Sequence, residues 1–167
     1  MQHHVTHKQE NSRMCFVCGL SNPYGLKASF YELDNRELAG IFQPGEEHQG
    51  YPGRLHGGIA STILDETMGR AIMIEHDDIW GVTIDINVRY RKPVPLDKEI
   101  RVVGRITRDT SRAFEGTGEI LLEDGTVAVE ARGKYFKMPY DEISDEEVSA
   151  LEWRVVPGED DPRTMDI

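Results

Sequence analysis

Between positions 80 and 92 the chain sets Val82, Ile84, Ile86, Val88 and Tyr90 against Thr83, Asp85, Asn87 and Arg89. Period-two alternation of that length predicts a strand with one buried face, and Pro93 and Pro95 end it. Shorter alternating stretches predict strands over 26–32 and 37–43, joined by a turn at Asp34-Asn35. Three more are predicted over 99–108, 112–123 and 127–138, with a turn at Asp124-Gly125. One segment has another period. After a Gly/Pro-rich loop over 44–54, the residues Ile59, Ala60, Ile63, Leu64, Met68, Ala71 and Ile72 recur at helical spacing within 56–75. The order β-β-α-β-β-β-β predicts an α+β fold, a long antiparallel sheet wrapped around one helix. One helix covers one sheet face, so the other face or an edge needs a partner and a homo-oligomer is expected.

The 167 residues suffice for one domain with its own core. Residues 1–13 are polar and read as a flexible, His-rich arm, 14–139 as the domain, and 140–167 as an acidic tail. That tail holds ten acidic residues and two arginines, so most of the net charge of -11 resides there. Its Ser144-Asp145-Glu146-Glu147 fits a capping box and predicts a short helix, packed through Leu151 and Trp153, with the last ten residues loose. No basic footprint for nucleic acid stands out. No apolar run approaches the roughly 18 residues of a membrane helix, and the first residues lack a signal-peptide core. With two cysteines and no disulfide framework, a cytoplasmic location is expected.

The side of the helix opposite its apolar stripe collects Gly58, Ser61, Thr62, Asp65 and Gly69. A helix facing plain solvent usually carries Lys, Glu and Gln; small residues around one carboxylate suit close approach of a ligand or of a second backbone. The helix begins His56-Gly57-Gly58. Paired glycines there leave N–H groups pointing outward at the positive dipole end, where an oxyanion is stabilised. His56 and Asp65 lie roughly 13 Å apart along one helix and on opposite sides of it. They cannot touch one reacting atom within one chain. If both Gly57 and Asp65 serve one reaction, two chains supply them.

The segments CFVCGLSNPYGL (15–26), Pro52-Gly53, HGGIASTILDETMG (56–69) and TIDINVRYRKPVP (83–95) resemble the hotdog-fold thioesterases of the PaaI-like type, which include acyl-CoA thioesterases of mammalian cells. The resemblance spans about residues 14–138 and implies hydrolysis of an acyl-CoA thioester without metal or organic cofactor. It implies that Asp65 is the catalytic carboxylate, as general base or nucleophile, and that Gly57 donates its N–H to the thioester oxygen in the neighbouring chain's site. His56 would orient that turn, and Thr83 would hold the attacking water. Some relatives place Asn six residues before the HGG histidine; this chain has Gly50.

Glu66 sits beside Asp65 but about 100° around the helix, so a structural role competes with one at the substrate. Arg89, Arg91 and Lys92 form the tight basic cluster of the body and suit the phosphates of CoA; an ordinary charged strand end is the plainer reading. Alternation puts Arg89 and Arg91 on the face of Thr83 and Asn87. Cys15 and Cys18 form a C-x₂-C pair, half of a zinc site. Completing it would take histidines such as His3, His4, His7 or His48, so packing or turn formation is expected and no metal. Met68, Ile72, Met73, Trp80 and Phe114 either line the acyl pocket or form core. A non-catalytic acyl-ligand binding protein on the same scaffold is the main alternative to the thioesterase. A hydratase would want an Asp/His pair that this helix does not provide.

Overall fold

The computed structural model describes residues 1–143 and 152–167. Its strands are β1 (Gln2–Lys8), β2 (Ser29–Leu33), β3 (Leu38–Phe42), β4 (Ile79–Tyr90), β5 (Ile100–Asp109), β6 (Ala113–Leu121), β7 (Val127–Pro139) and β8 (Thr164–Asp166). Helix α1 (Gly57–Arg70) lies between β3 and β4, and a single turn, α2 (Tyr140–Ile143), follows β7. All strands join one antiparallel sheet in the order β4-β7-β6-β5-β3-β2-β1-β8.

The sheet curls around α1. Ala60, Ile63, Leu64 and Met68, the apolar stripe read from the sequence, are buried against its inner face with Phe30, Leu38, Val102, Phe114 and Ile120. Each large side chain buried there contributes about 1.5–3 kcal/mol. The helix sits close because two strands carry glycine beneath it: a Cβ on Gly104 would stand 3.0 Å from the Thr67 carbonyl oxygen, and one on Gly118 3.1 Å from Met68. The α-helix ends at Arg70, short of the expected 75, and continues as a 3₁₀ turn over Ala71–Ile74. Ala71, Ile72 and Met73 are buried there, so the apolar stripe outlasts the α-helix. Periodicity over one turn does not separate 3.6 from 3.0 residues per turn.

Two expectations change at the ends of the chain. Residues 2–8 form β1 between β2 and β8 instead of an arm. The last ten residues are not loose, because β8 pairs with β1 and Met165 packs with Tyr31, Leu33 and Ala39 in a small second cluster. Asp161 anchors the approach to β8 through Lys8 Nζ at 2.6 Å and Tyr31 Oη at 2.7 Å. Both segments gain order from backbone pairing rather than from apolar content of their own, so hydropathy carries no trace of it. The capping box at 144–147 and Leu151 lie outside the described residues.

Strand β4 departs from strict alternation. Its pairing with β7 shifts between Thr83 and Asp85, a bulge with Ile84 as the extra residue. Upstream of it Gly81 and Thr83 face α1; downstream Ile86, Val88 and Tyr90 do. Val82 and Ile84 are exposed, on a strand that forms one edge of the sheet.

Candidate active site

A mostly apolar cavity of about 400 Å³ opens beside the middle of α1. Met14, Met73, Trp80 and Trp153 supply apolar wall, and Asp65, Glu66, Arg70 and Thr83 supply polar groups. The bulge in β4 brings Thr83 over the helix, where its hydroxyl donates to Asp65, 2.9 Å from Oδ1 and 3.1 Å from Oδ2. Tyr135, paired with Thr83 across β4 and β7, places its Oη 3.2 Å from Asp65 Oδ1 and 3.2 Å from the Asp65 carbonyl oxygen. Phe114, the next residue in that row on β6, stacks beneath Tyr135 with centroids 4.9 Å apart.

Asp65 is thus a half-buried carboxylate with two hydroxyl partners and an open cavity in front of it. Burial pushes its carboxyl above the usual range; donation from Thr83 and Tyr135 pulls it back, and the charge of Glu66 adds to the rise. The net shift is upward, toward a stronger base. Burial also pushes the Tyr135 phenol up, and the Asp65 charge adds to it, so Tyr135 stays a donor.

The start of α1 is a separate place. His56 caps it, Nδ1 accepting from Gly58 N–H at 2.9 Å. Tyr90 Oη donates to the Gly57 carbonyl at 2.7 Å and lies 2.6 Å from Ser61 Oγ. Gly57 is the first helical residue, so its N–H has no acceptor within the helix. It borders a second hollow of about 350 Å³ shared with Arg54, Tyr90, Arg91 and Lys92. Eight residues, roughly 12 Å of helix, separate Gly57 from Asp65.

The expected site residues therefore divide into three places. Asp65, Glu66 and Thr83 share the first cavity. Gly57, Arg91 and Lys92 border the second, with His56 and Gly58 at its turn. Asn87 and Arg89 border neither. The β4 bulge puts them on the face turned away from α1, so the shared face expected for Thr83, Asn87, Arg89 and Arg91 is corrected. Arg91 is held by Glu130 through two bonds of 2.9 and 2.7 Å. Glu66 is paired with Arg70 at 2.8 Å. Of the candidate lining residues, Met73 and Trp80 reach the cavity, whereas Met68, Ile72 and Phe114 are core.

Tyr135, Tyr90, Arg70 and Trp153 were not legible as site residues. Tyr135 had a signal: Ala131, Gly133 and Tyr135 are successive same-face positions of β7, two small residues leaving room beside a ring. Arg70 had none, since an arginine in the last turn of a helix is ordinary. Here it is buried and stacked between Phe30 and Trp153, 4.7 and 4.6 Å from their centroids.

The model of the thioesterase superfamily matches residues 52–129. The chain is 30% identical over 132 residues to mouse acyl-coenzyme A thioesterase THEM4, covering 78% of this chain and 55% of that protein. It spans about half the length of the curated relatives of that name that it matches. Among solved structures, a thioesterase superfamily protein superposes with a TM-score of 0.61 at 27% identity, over 65% of this chain and 53% of that one. A hypothetical thioesterase from Streptococcus pneumoniae, crystallised with coenzyme A, superposes with a TM-score of 0.57 at 19% identity, over 62% of this chain and 79% of that one. The sheet wrapped around α1 is the hotdog fold, and its segment 52–129 matches the model of the thioesterase superfamily.

Proposed function

We propose that this chain hydrolyses an acyl-CoA thioester to the free acid and CoA, working as a homo-oligomer whose sites take Asp65 from one copy and Gly57 from another. The observation that carries the reading is the Asp65 carboxylate held by Thr83 and Tyr135 at the wall of a largely apolar cavity. A carboxylate with no cation on it is costly beside an acyl chain, so a mere binder gains nothing from it.

In this reading Asp65 takes a proton from water as the water oxygen attacks the thioester carbon. The Gly57 N–H of the partner copy holds the oxygen that becomes negative. Collapse of the tetrahedral intermediate expels the CoA thiolate, an easy leaving group, and the proton on Asp65 passes to solvent or to the thiolate. Thr83 and Tyr135 occupy lone pairs of Asp65, which suits a group that moves a proton better than one that must leave its partners to attack carbon. Two features support the shared site: the roughly 12 Å between Gly57 and Asp65 within one chain, and the exposed apolar edge at β4. Lys92 and Arg54, at the Gly57 hollow, suit the CoA phosphates.

Free thiol release from a panel of acyl-CoAs, short, long and aryl, tests this with Asp65→Asn beside the wild type. Turnover that collapses in a folded Asp65→Asn supports the reading and names the acyl class. Saturable binding with no turnover of any thioester would make the chain an acyl-ligand binding protein. Equal turnover in both proteins would remove Asp65 from the chemistry.

A further inference from the structure

The C-x₂-C pair is the chemistry-bearing motif that hydrolysis leaves unused. Cys15 and Cys18 lie in a tight turn closed by Gly19 N–H on the Cys15 carbonyl at 2.7 Å. A Cβ on Gly19 would stand 2.3 Å from that oxygen, so the turn requires glycine. Asn11 Nδ2 fixes the Cys18 carbonyl at 2.8 Å. Helix α1 brings Glu66 to the same point. The sulfurs of Cys15 and Cys18 and a carboxylate oxygen of Glu66 all lie within 4.8 Å of one another. No histidine joins them among the described residues: His48 Nε2 is 2.7 Å from the Tyr24 carbonyl, and His3 Nδ1 is 3.1 Å from Asp34.

We propose that Cys15, Cys18 and Glu66 form a binding site for a thiophilic divalent cation of the zinc class, with a remaining coordination position on the cavity side. The site is distinct from the Asp65–Thr83 pair, and the proposal does not depend on the hydrolytic reading. Its donor set is two sulfurs at C-x₂-C spacing and one carboxylate, which selects zinc over magnesium or calcium. Three protein donors leave one position of a tetrahedron, and both Cys15 and Glu66 border the cavity.

Charge supplies the second argument. Arg70 is only 5% exposed and donates Nη2 to the Cys18 sulfur at 2.9 Å and Nε to Glu66 Oε1 at 2.8 Å. A guanidinium does not give up its proton, so it demands anions around it. Two thiolates and a carboxylate carry three negative charges, and a divalent cation with Arg70 carries three positive. The assembly is then neutral, as a buried site requires. Metal entry displaces whatever protons the two thiols carry to solvent, both sulfurs bind as thiolates, and no electrons are exchanged.

The test is Co²⁺ titration of the full-length, fully reduced, chelator-treated protein. One equivalent should bind with a thiolate-to-cobalt charge-transfer absorption that Zn²⁺ then bleaches. Cys15→Ala and Cys18→Ser should each abolish the band. Glu66→Gln should weaken binding by more than the roughly 10–100-fold typical of outer-shell changes. Because Gln keeps an acceptor for Arg70, the metal-free variant should still unfold cooperatively, if at a lower midpoint, which carries the test if a cysteine variant fails to fold. Absence of the charge-transfer band in reduced wild type overturns the site, and so does a Glu66→Gln that binds as tightly as wild type. Loss of both thiols to an intramolecular disulfide under mild peroxide, with no metal bound, would assign the pair to redox chemistry instead.

Discussion

At its first turn α1 offers little beyond backbone: two glycines, a histidine cap and an N–H with no helical acceptor. Two turns later the same helix carries Asp65 under two hydroxyls, then Glu66 and the buried Arg70. The first half makes few side-chain demands on its own chain and presents dipole to the outside. The second half is tied down by β4, β7 and the N-terminal turn. A helix divided in this way serves two sites at once, giving its start to one and its middle to the other, and that is how a symmetric pair of copies would use it.

The division can be broken at either end. The largest loss is expected from Asp65→Asn, which keeps the shape and removes the base, so kcat should fall about 10²–10⁴-fold in a thiol-release assay. Gly57→Pro is the matching test of the other half. Proline suits a first helical position, the extended His56 backbone accepts a following proline, and the added Cβ would meet Tyr90 no closer than 3.4 Å. It replaces the N–H by a ring carbon and leaves the helix start its shape, and kcat should drop about 10²–10³-fold. Mixing the two inactive proteins sharpens the comparison. Co-refolded Asp65→Asn and Gly57→Pro should recover activity through one intact site per mixed dimer, and no recovery would overturn the shared site.

Smaller effects should follow inside each half. Thr83→Val deletes a hydrogen bond to a charged group worth about 1.5–3 kcal/mol, a roughly tenfold to hundredfold fall in kcat/KM. His56→Ala removes the cap of the open half and should lower stability by about 1 kcal/mol, read as a shift in the denaturant midpoint with an unchanged slope.

Most of the hotdog core was readable because each element announces itself locally. The apolar stripe of Ile59 through Ile72 and the alternation of 82–90 mark the helix and the longest alternating strand, and the helix's small-residue back singles out Asp65. What stayed hidden depends on residues distant in the chain. Strands β1 and β8 stabilise each other across more than 150 positions with little apolar patterning. Tyr135 reaches Asp65 only because β7 pairs with β4 in one particular register. Arg70 is a surface residue by type, and its burial depends on Phe30, Trp153 and the cysteine turn closing around it. Arg89 differs for the opposite reason: strict alternation puts it on the face of Thr83, and the slip in pairing at Ile84 turns it to the other face.

That slip gives β4 two reading frames. Odd positions look inward as far as Thr83, and even positions do so from Ile86 onward. One inserted residue thus lets a single strand hand a hydroxyl to the helix and still fill the core with Ile86 and Val88. In a substitution scan, tolerance along β4 should alternate with period two on both sides of Ile84 and jump phase across it. Deleting Ile84 would merge the two frames, forcing a choice between the hydroxyl over Asp65 and the aliphatic packing beyond it.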